Sequence, residues 1–275
     1  MLRFADADKS LISHVFISDL HLATDCGTNS PAIDVADAAL WQAFLSLLDE
    51  LSTLPNLQQL YILGDWFEAW IGDDAALCEP IVSCLAPMLE KLRALHRRNV
   101  AILVMHGNRD FTIGQKFCNR FGGQLIKEPY NLDLNGKKIR LEHGDALTTD
   151  DKAYQRFRRI IRHPITKSLL LALPLSKRTQ LANNLRQQSQ AGNAKKSMQI
   201  MDVSADTVEA VMHDSKHPID ILLHGHTHRP CLHELSHHKQ RIVLGDWRFD
   251  GKKVEAVIGV SLEKEPLALY AFNHL

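Results

Sequence analysis

The stretch IDILLHGHTH, residues 219–228, decides the fold, because an apolar run ends there on a row of histidines. A short apolar run bounded by polar residues is typical of a buried strand. Four more such runs, each followed directly by polar residues, occupy residues 14–18, 60–63, 100–105 and 139–141. Between them, residues 39–51 and 81–97 carry apolar side chains three and four apart, which indicates helices. Alternating strands and helices predict a layered α/β core.

Polar side chains at the strand ends are expected to meet, because α/β folds place their chemistry at one edge of the sheet. Asp19 and His21 sit two apart after the first strand, where an extended backbone would point both to the same side. Gly64 lets the chain turn tightly so that Asp65 faces that edge. Asn108 offers a neutral oxygen ligand after the third strand. Taken alone, each block is also what an ordinary polar turn contains.

Histidines complete this set of strand-end residues. His143 follows the fourth strand, where a lone histidine is usually a hydrogen-bonded structural residue. His224, His226 and His228 differ, because three imidazoles spaced by two are costly to keep together unless a cation binds them. The order of the five blocks D-x-H, GD, GN, HGD and GHTH is more specific than any one block. The donors are all oxygen and nitrogen, which suits Mn²⁺, Fe, Co²⁺ or Zn²⁺.

In order and spacing, these blocks resemble the calcineurin-like metallophosphoesterase superfamily. The resemblance implies an α/β fold with a four-layer β-sandwich, in which two stacked sheets are flanked by helices. It also implies two divalent metal ions, with Mn²⁺ favoured, bridged by Asp65. The remaining implied ligands are Asp19, His21 and His228 for one ion, and Asn108, His143 and His226 for the other. Such an ion pair shares a water as an attacking hydroxide, so the implied chemistry is hydrolysis of a phosphate ester or anhydride.

Arg109 narrows that chemistry, since most members of the superfamily carry at this position a His that helps the leaving oxygen depart. An Arg side chain cannot give up its proton, because its pKa stays above about 12. A phosphate leaving group, whose last pKa is about 6, needs little protonation. The substitution favours cleavage of a pyrophosphate bond, with Arg109 stabilising charge. The alternative is that another residue, for example His224, supplies the proton.

Residues 152–201 break the strand and helix alternation, since they contain eleven Lys or Arg residues and no Asp or Glu. Pro164 and Pro174 divide this segment into helices. A basic surface can meet phosphate groups, and an apolar pocket between short helices can take acyl chains, at about 0.8 kcal/mol per buried CH₂. The predicted division is residues 1–150 and 216–275 for the metallophosphoesterase core and residues 151–215 for a helical insertion, or lid, for the acylated substrate.

The longer strings YILGDWFEAWIGDD, HGNRDF, HGDALTTDD, SQAGNAKKSMQIMDV and HGHTHRP are similar to the UDP-2,3-diacylglucosamine pyrophosphate hydrolases of lipid A biosynthesis. This resemblance implies attack of the metal-bridging hydroxide on the α-phosphorus of the UDP-linked lipid, releasing UMP and the acylated sugar 1-phosphate. The implied catalytic residues are Asp65, Asn108, Arg109 and His226. The implied substrate contacts are Asn108, Arg109, Asp151, Tyr154, Ser189, Asn193, Lys196 and His226. For Asp151 the alternative is a helix cap, and for Lys196 a solvated charge.

Net charge says nothing about the partner, because 32 Lys and Arg residues balance 32 Asp and Glu residues. No run of about 18 apolar residues predicts a transmembrane helix, and scattered cysteines fit a reducing cytoplasm. An acylated substrate resides in a bilayer, so we expect peripheral association with the cytoplasmic face of the inner membrane. Each basic residue near anionic headgroups would contribute about 1 kcal/mol. The residues expected to do so are Arg156, Arg158, Arg159, Arg162 and Lys167.

Two other functions stay open. A nuclease or cyclic-nucleotide phosphodiesterase of the same superfamily would grip a phosphate backbone with the basic segment. That segment has few aromatic side chains to stack on bases, chiefly Tyr154 and Phe157, so no nucleic acid partner is expected. A non-catalytic scaffold is disfavoured because none of the ligand blocks is broken. No obligate protein partner is evident.

Overall fold

The computed structural model describes residues 1–24, 34–193 and 202–275, with the side chains of residues 188–193 outside the description. The strands within these residues are β1 (Leu2–Arg3), β2 (Ile12–Ile17), β3 (Gln59–Leu63), β4 (Ala101–Met105), β5 (Gln124–Ile126), β6 (Tyr130–Leu134), β7 (Lys137–Leu141), β8 (Ile221–His224), β9 (Cys231–Glu234), β10 (Gln240–Val243), β11 (Arg248–Phe249), β12 (Val254–Leu262) and β13 (Ala268–His274). The helices are α1 (Val35–Thr53), α2 (Ile81–Arg97), α3 (Gln115–Cys118), α4 (Lys152–Ile161), α5 (Pro164–Leu171), α6 (Leu175–Asn193) and α7 (Ala205–Met212).

The strands form two sheets. The first has the order β1-β13-β12-β2-β3-β4-β5, with β11 added to β12, and the second has the order β6-β7-β8-β10-β9. Strands β2 to β5 pair in parallel, as do β7, β8 and β10. Carboxyl ends of parallel strands lie at one edge of a sheet, so the polar residues after β2, β3, β4, β7 and β8 are brought to a common edge.

Alternation along the strands explains the stacking of the two sheets. In β3, Leu63 joins an apolar cluster shared with Leu141 and Leu223 of the second sheet, whereas Ile62 joins the cluster containing α1 and α2. In β8, Leu222 packs with Met212 of α7 on the outer face. Successive side chains of a strand point to opposite faces, so apolar residues at every position need cover on both sides. The predicted four-layer α/β sandwich, with helices outside two stacked sheets, is confirmed.

The strands and helices read from the sequence are present. The apolar run at residues 100–105 corresponds to β4, and the helix predicted at residues 81–97 is α2, Ile81–Arg97. The strands β12 and β13 were not predicted, because no polar strand-end block marks them. Nevertheless β12 pairs with β2 in the middle of the first sheet.

Within the predicted insertion, Pro164 is the first residue of α5 and Pro174 directly precedes α6. The helices α4 to α6 lie over the edge where the strand-end residues meet, and they line a cavity there. Helix α7 instead packs against the second sheet through Val208 and Met212. No helix in the described parts of the chain is both long and apolar enough to cross a bilayer.

Candidate metal centre

Five of the predicted ligands sit on left-handed backbone. Their φ angles are +56° for Asp19, +51° for His21, +49° for Asp65, +69° for His226 and +55° for His228. The prediction that an extended backbone aligns the first two is therefore wrong, since β2 ends at Ile17. Left-handed backbone costs a non-glycine residue about 1–3 kcal/mol and persists only where the surroundings impose it. The turns aim these side chains into one space that continued strands would not reach.

Two glycines allow the loops to approach each other. Gly64 has φ +87°, and a Cβ there would lie 2.6 Å from the backbone of Gly107. A Cβ on Gly107 would lie 2.1 Å from the Asp65 nitrogen. Both distances are far below van der Waals contact, so only glycine fits at either position.

The structure gathers the predicted ligands into two adjoining groups. Ligand atoms of Asp19, His21 and His228 lie within 4.8 Å of one another, and so do those of Asp65, His143 and His226. Asp65 lies between the groups, with Oδ2 3.8 Å from His21 Nε2 and Oδ1 3.7 Å from His143 Nε2. One carboxylate oxygen of Asp65 thus faces each group. The side-chain oxygen of Asn108 joins the second group, 3.0 Å from His143 Nε2.

Three of the imidazole rings have an oxygen partner close to the nitrogen that faces away from the centre. His21 Nδ1 lies 3.0 Å from Glu68 Oε2, and His228 Nδ1 lies 3.1 Å from Asp246 Oδ2. His143 Nδ1 lies 3.0 Å from the Leu63 carbonyl oxygen. A ring held in this way presents its Nε2 atom as a metal ligand with a fixed tautomer and orientation.

The donor set fits a pair of divalent cations. His21 Nε2 and His228 Nε2 face each other at 3.4 Å, with Asp19 Oδ1 a further 3.4 Å from the latter. Asp19 Oδ1 is buried and accepts no hydrogen bond from the described residues. Facing imidazole nitrogens beside a buried, unpartnered carboxylate oxygen form a cluster of lone pairs that a cation would satisfy. With no thiolate among the donors, the set suits borderline divalent ions.

Electrostatics at these residues are dominated by the carboxylates. Burial lowers the pKa of His228, but the nearby carboxylates of Asp19 and Asp246 outweigh it and raise the pKa to about 10 in the apoprotein. Burial also lowers the pKa of His143, and the charges of Asp65 and Asp19 outweigh it to give about 9. The site therefore attracts positive charge, which protons supply when no metal does.

Residues 13–230 match the family model described as calcineurin-like phosphoesterase. The chain belongs to the calcineurin-like phosphoesterase family. Members of this family use divalent metal ions, and the two side-chain groups are the candidate ligands here.

Curated relatives within this family are similar over most of their length. The "UDP-2,3-diacylglucosamine hydrolase" of Azotobacter vinelandii is 42% identical over 240 residues, covering 86% of this chain and 91% of that protein. The protein of the same name from Serratia proteamaculans is 42% identical over 244 residues, covering 88% and 93%. That of Pseudomonas paraeruginosa is 43% identical over 249 residues, covering 89% and 95%.

In this phosphoesterase, a cavity of roughly 700 Å³ opens over the metal-ligand edge. Its floor includes predicted metal ligands: His21, Asp65, Asn108, His226 and His228. Its roof comes from the helices above and, besides arginines, has an apolar part: Phe157, Ile161, Leu170, Leu181 and Leu185. Arg109 and Arg186 lie between floor and roof on the cavity wall, and both approach Glu68, at 3.8 and 2.9 Å. The cavity therefore joins a floor of candidate metal ligands, a cationic wall and a partly apolar roof.

Two of the predicted substrate contacts in the helical insertion line the cavity, and three others lie wholly or partly outside the described residues. Asp151 and Tyr154 line the cavity, and Asp151 also caps α4 by accepting a hydrogen bond from the Tyr154 backbone N–H at 3.0 Å. Ser189 and Asn193 belong to α6, but their side chains lie outside the described residues, and Lys196 lies outside them altogether.

His224 does not line the cavity and is fully buried, with Nδ1 2.8 Å from the Gly225 carbonyl oxygen. Burial lowers its pKa to about 3. This placement does not support the alternative that His224 protonates a leaving group.

Several of the basic residues assigned to membrane headgroups are engaged with the core instead. Arg158 and Arg162 bind the buried carboxylate of Asp145, and Lys167 donates to the Phe111 carbonyl oxygen at 2.7 Å. Only Arg156 and Arg159 of the predicted five are exposed.

Sequence reasoning missed Glu68 and Asp246, which orient two of the histidines. Glu68 lies three residues after Asp65 in GDWFE, a position that carries no spacing signal of its own. Asp246 had a signal, since it follows the apolar run IVL in the second of two Leu-Gly-Asp triplets, residues 244–246. It is the same strand-end pattern that marks Asp65.

Proposed function

We propose that this protein hydrolyses the pyrophosphate bond of UDP-2,3-diacylglucosamine in lipid A biosynthesis, giving UMP and 2,3-diacylglucosamine 1-phosphate. The observation that carries the proposal is the continuous cavity, whose floor bears the ligand groups and whose roof is partly apolar. A substrate with a diphosphate next to an acylated sugar needs a site for the diphosphate and an apolar surface for the acyl chains in the same cavity. The names of the relatives at 42–43% identity support the same substrate.

We also propose that two Mn²⁺ ions are the metals, with Asp65 as the shared ligand. The oxygen and imidazole donors suit Mn²⁺ among the borderline ions. When bound, two such ions act as Lewis acids on the phosphate oxygens and lower the pKa of a water to about 7. The histidine ligands are oriented for this role by Glu68, Leu63 and Asp246.

Arg109 stabilises the charge that develops on the diphosphate during attack at the α-phosphorus. Its backbone N–H donates to Asp65 Oδ1 at 2.8 Å, which ties the residue to the shared ligand. Its guanidinium lines the cavity beside Glu68 and stays protonated throughout. The leaving group is a phosphate monoester, with a pKa near 6, that departs without a proton donor. Asn108, on the cavity floor one residue before, adds an amide that contacts both metal and phosphate.

The remaining part of the substrate lies toward the lid, residues 151–215. Asp151 and Tyr154 meet the sugar and nucleotide from α4, while Ser189, Asn193 and Lys196 complete the contacts from the end of α6 onward. Acyl chains occupy the apolar part of the roof, where each buried CH₂ contributes about 0.8 kcal/mol. His226, on the floor, would hold the metal beside the attacked phosphate.

We propose peripheral binding to the cytoplasmic face of the inner membrane through the outer surface of α4 and α5. Ile160, Ile165 and Leu169 are 63–66% exposed there, beside the exposed Arg159. Exposed apolar side chains next to a cation suit the interface of an anionic bilayer. Flotation with anionic vesicles tests this, and a protein that stays in the lower fractions would contradict it.

Product release tests the function. Purified protein loaded with Mn²⁺ is expected to release UMP from UDP-2,3-diacylglucosamine, to stop when a chelator is added, and to recover with fresh Mn²⁺. Asp65→Ala is expected to abolish turnover. A protein holding two ions per chain that does not cleave this substrate would refute the proposal.

A further inference from the structure

Three polar side chains, on one face of α4 and at its C-terminal cap, converge on a single atom. Tyr154, Arg158 and Arg162 are spaced by four, so they form a stripe along one side of the helix. The Tyr154 hydroxyl, Arg158 Nε and Arg162 Nη2 donate to Asp145 Oδ2 at 2.6, 2.8 and 2.8 Å. Asp145 is fully buried, so its charge depends on these donors. We call the three residues the α4 stripe.

The α4 stripe also reaches the loops that carry metal ligands. Arg158 Nη2 donates to Glu128 Oε2 at 2.8 Å, and Glu128 Oε1 accepts from the His143 backbone N–H at 2.8 Å. Arg162 Nη2 donates to the Gly107 carbonyl oxygen at 2.8 Å, one residue before Asn108.

The Tyr154 ring stacks on the His226 ring at a centroid distance of 6.4 Å and an angle of 24°. Each member of the α4 stripe thus touches a ligand of the second group, the residue beside one, or the carboxylate that holds its backbone.

The first group of ligands is supported from elsewhere. His21 is held by Glu68 and His228 by Asp246. Within residues 1–24, 34–193 and 202–275, no hydrogen bond or ion pair joins the α4 stripe to Asp19, His21 or His228. Support for the two groups therefore comes from different residues: the α4 stripe contacts the second group, whereas Glu68 and Asp246 hold two ligands of the first.

We infer that the α4 stripe is a positioning element for one of the two ions only, the ion held by Asp65, Asn108, His143 and His226. The inference rests on the metal centre of the proposed function. Removing a stripe guanidinium leaves the buried carboxylate of Asp145 and the half-buried carboxylate of Glu128 with undercompensated charge. Both carboxylates flank His143, so their rearrangement displaces that ligand, while His21 and His228 keep Glu68 and Asp246 as partners. Loss of such an outer partner typically weakens metal affinity by about 10–100-fold.

Metal content tests the inference independently of turnover. Arg158→Gln and Arg162→Gln are compared with Arg156→Gln, an exposed arginine on the same helix. Mn²⁺ bound per chain is measured by elemental analysis across a titration, and paramagnetic resonance distinguishes a coupled ion pair from an isolated ion. The stripe variants are expected to keep one ion at wild-type affinity and to bind the other about 10–100-fold more weakly, replacing the pair signal by an isolated-ion signal. Arg156→Gln is expected to bind both ions like wild type.

Tyr154→Phe provides a variant that keeps the ring and removes only the hydroxyl, in case a charge change prevents folding. It is expected to show the same selectivity for one ion with a smaller loss, and Arg158→Lys is expected to recover part of the loss in Arg158→Gln. Equal weakening of both ions, or two ions at wild-type affinity in the stripe variants, would overturn the inference while leaving the metal centre intact. A wild-type protein that never binds two ions would instead refute the metal centre itself, and the inference with it.

Discussion

Replacing Asp246 by Asn is expected to weaken the binding of the ion held by the first ligand group and to leave the affinity for the other ion unchanged. Asp246 Oδ2 lies 3.1 Å from His228 Nδ1 and also accepts from Arg248 Nε at 2.6 Å, with the carboxylate only 13% exposed. The change removes the charged acceptor that orients the ring. A hydrogen bond to a charged group is worth about 1.5–3 kcal/mol, and about 1.4 kcal/mol corresponds to tenfold in affinity. The expected loss is therefore roughly 10–100-fold for one ion.

The assay is a Mn²⁺ titration of the purified variant, with bound ions counted per chain. Asp250→Asn is the matched control, because Asp250 is exposed and accepts from the backbone N–H groups of Lys252 and Lys253. The control is expected to bind both ions like wild type. Two ions at wild-type affinity in Asp246→Asn, or equal loss of both, would show that His228 does not depend on this carboxylate as its geometry indicates.

Three further outcomes are expected. Arg109→Ala lowers kcat by about 10²–10³, the usual loss for a group that stabilises transition-state charge, whereas Arg109→Lys keeps part of the rate; equal rates in steady-state assays would contradict this. Gly107→Ala abolishes Mn²⁺ binding in the titration, because its Cβ would lie 2.1 Å from the Asp65 nitrogen; two bound ions would show that the loops can separate. The affinity of the apoprotein for Mn²⁺ is expected to rise from pH 6 to pH 8, about tenfold per pH unit for each proton displaced. The reason is that burial lowers the pKa values of His143 and His228 but nearby carboxylates raise them to about 9 and 10, so the metal must displace protons from these rings. Calorimetry that shows no proton release on Mn²⁺ binding would refute this expectation.

The fold was largely readable from the sequence because apolar strands and polar strand ends are local features. The run IDILL and the histidines after it mark a buried strand and the edge where it ends, whatever the rest of the chain does. Strand β12 was not readable in this way. It occupies the middle of the first sheet, but its position beside β2 follows from pairing across more than 200 residues of chain.

The ligand candidates could be named, but the backbone that brings them together could not. Asp19 and His21 were expected on an extended strand, and their left-handed conformation is imposed by contacts between loops, such as that of Asp19 N with the Gly64 carbonyl oxygen at 3.1 Å. The basic segment was misleading for a related reason. Arg158 and Arg162 look like surface charge in the sequence, because the acid that they neutralise, Asp145, lies before the segment and is buried only in the folded protein.

The central claim is that the protein cleaves one pyrophosphate bond by attack at the α-phosphorus. The most direct test is product analysis after hydrolysis of UDP-2,3-diacylglucosamine in ¹⁸O-water. Attack at the α-phosphorus predicts one ¹⁸O atom in UMP and none in the acylated sugar 1-phosphate, with the two products formed in equal amounts. Label in the sugar phosphate would contradict the assigned phosphorus. No cleavage by protein that holds two Mn²⁺ ions would contradict the function itself.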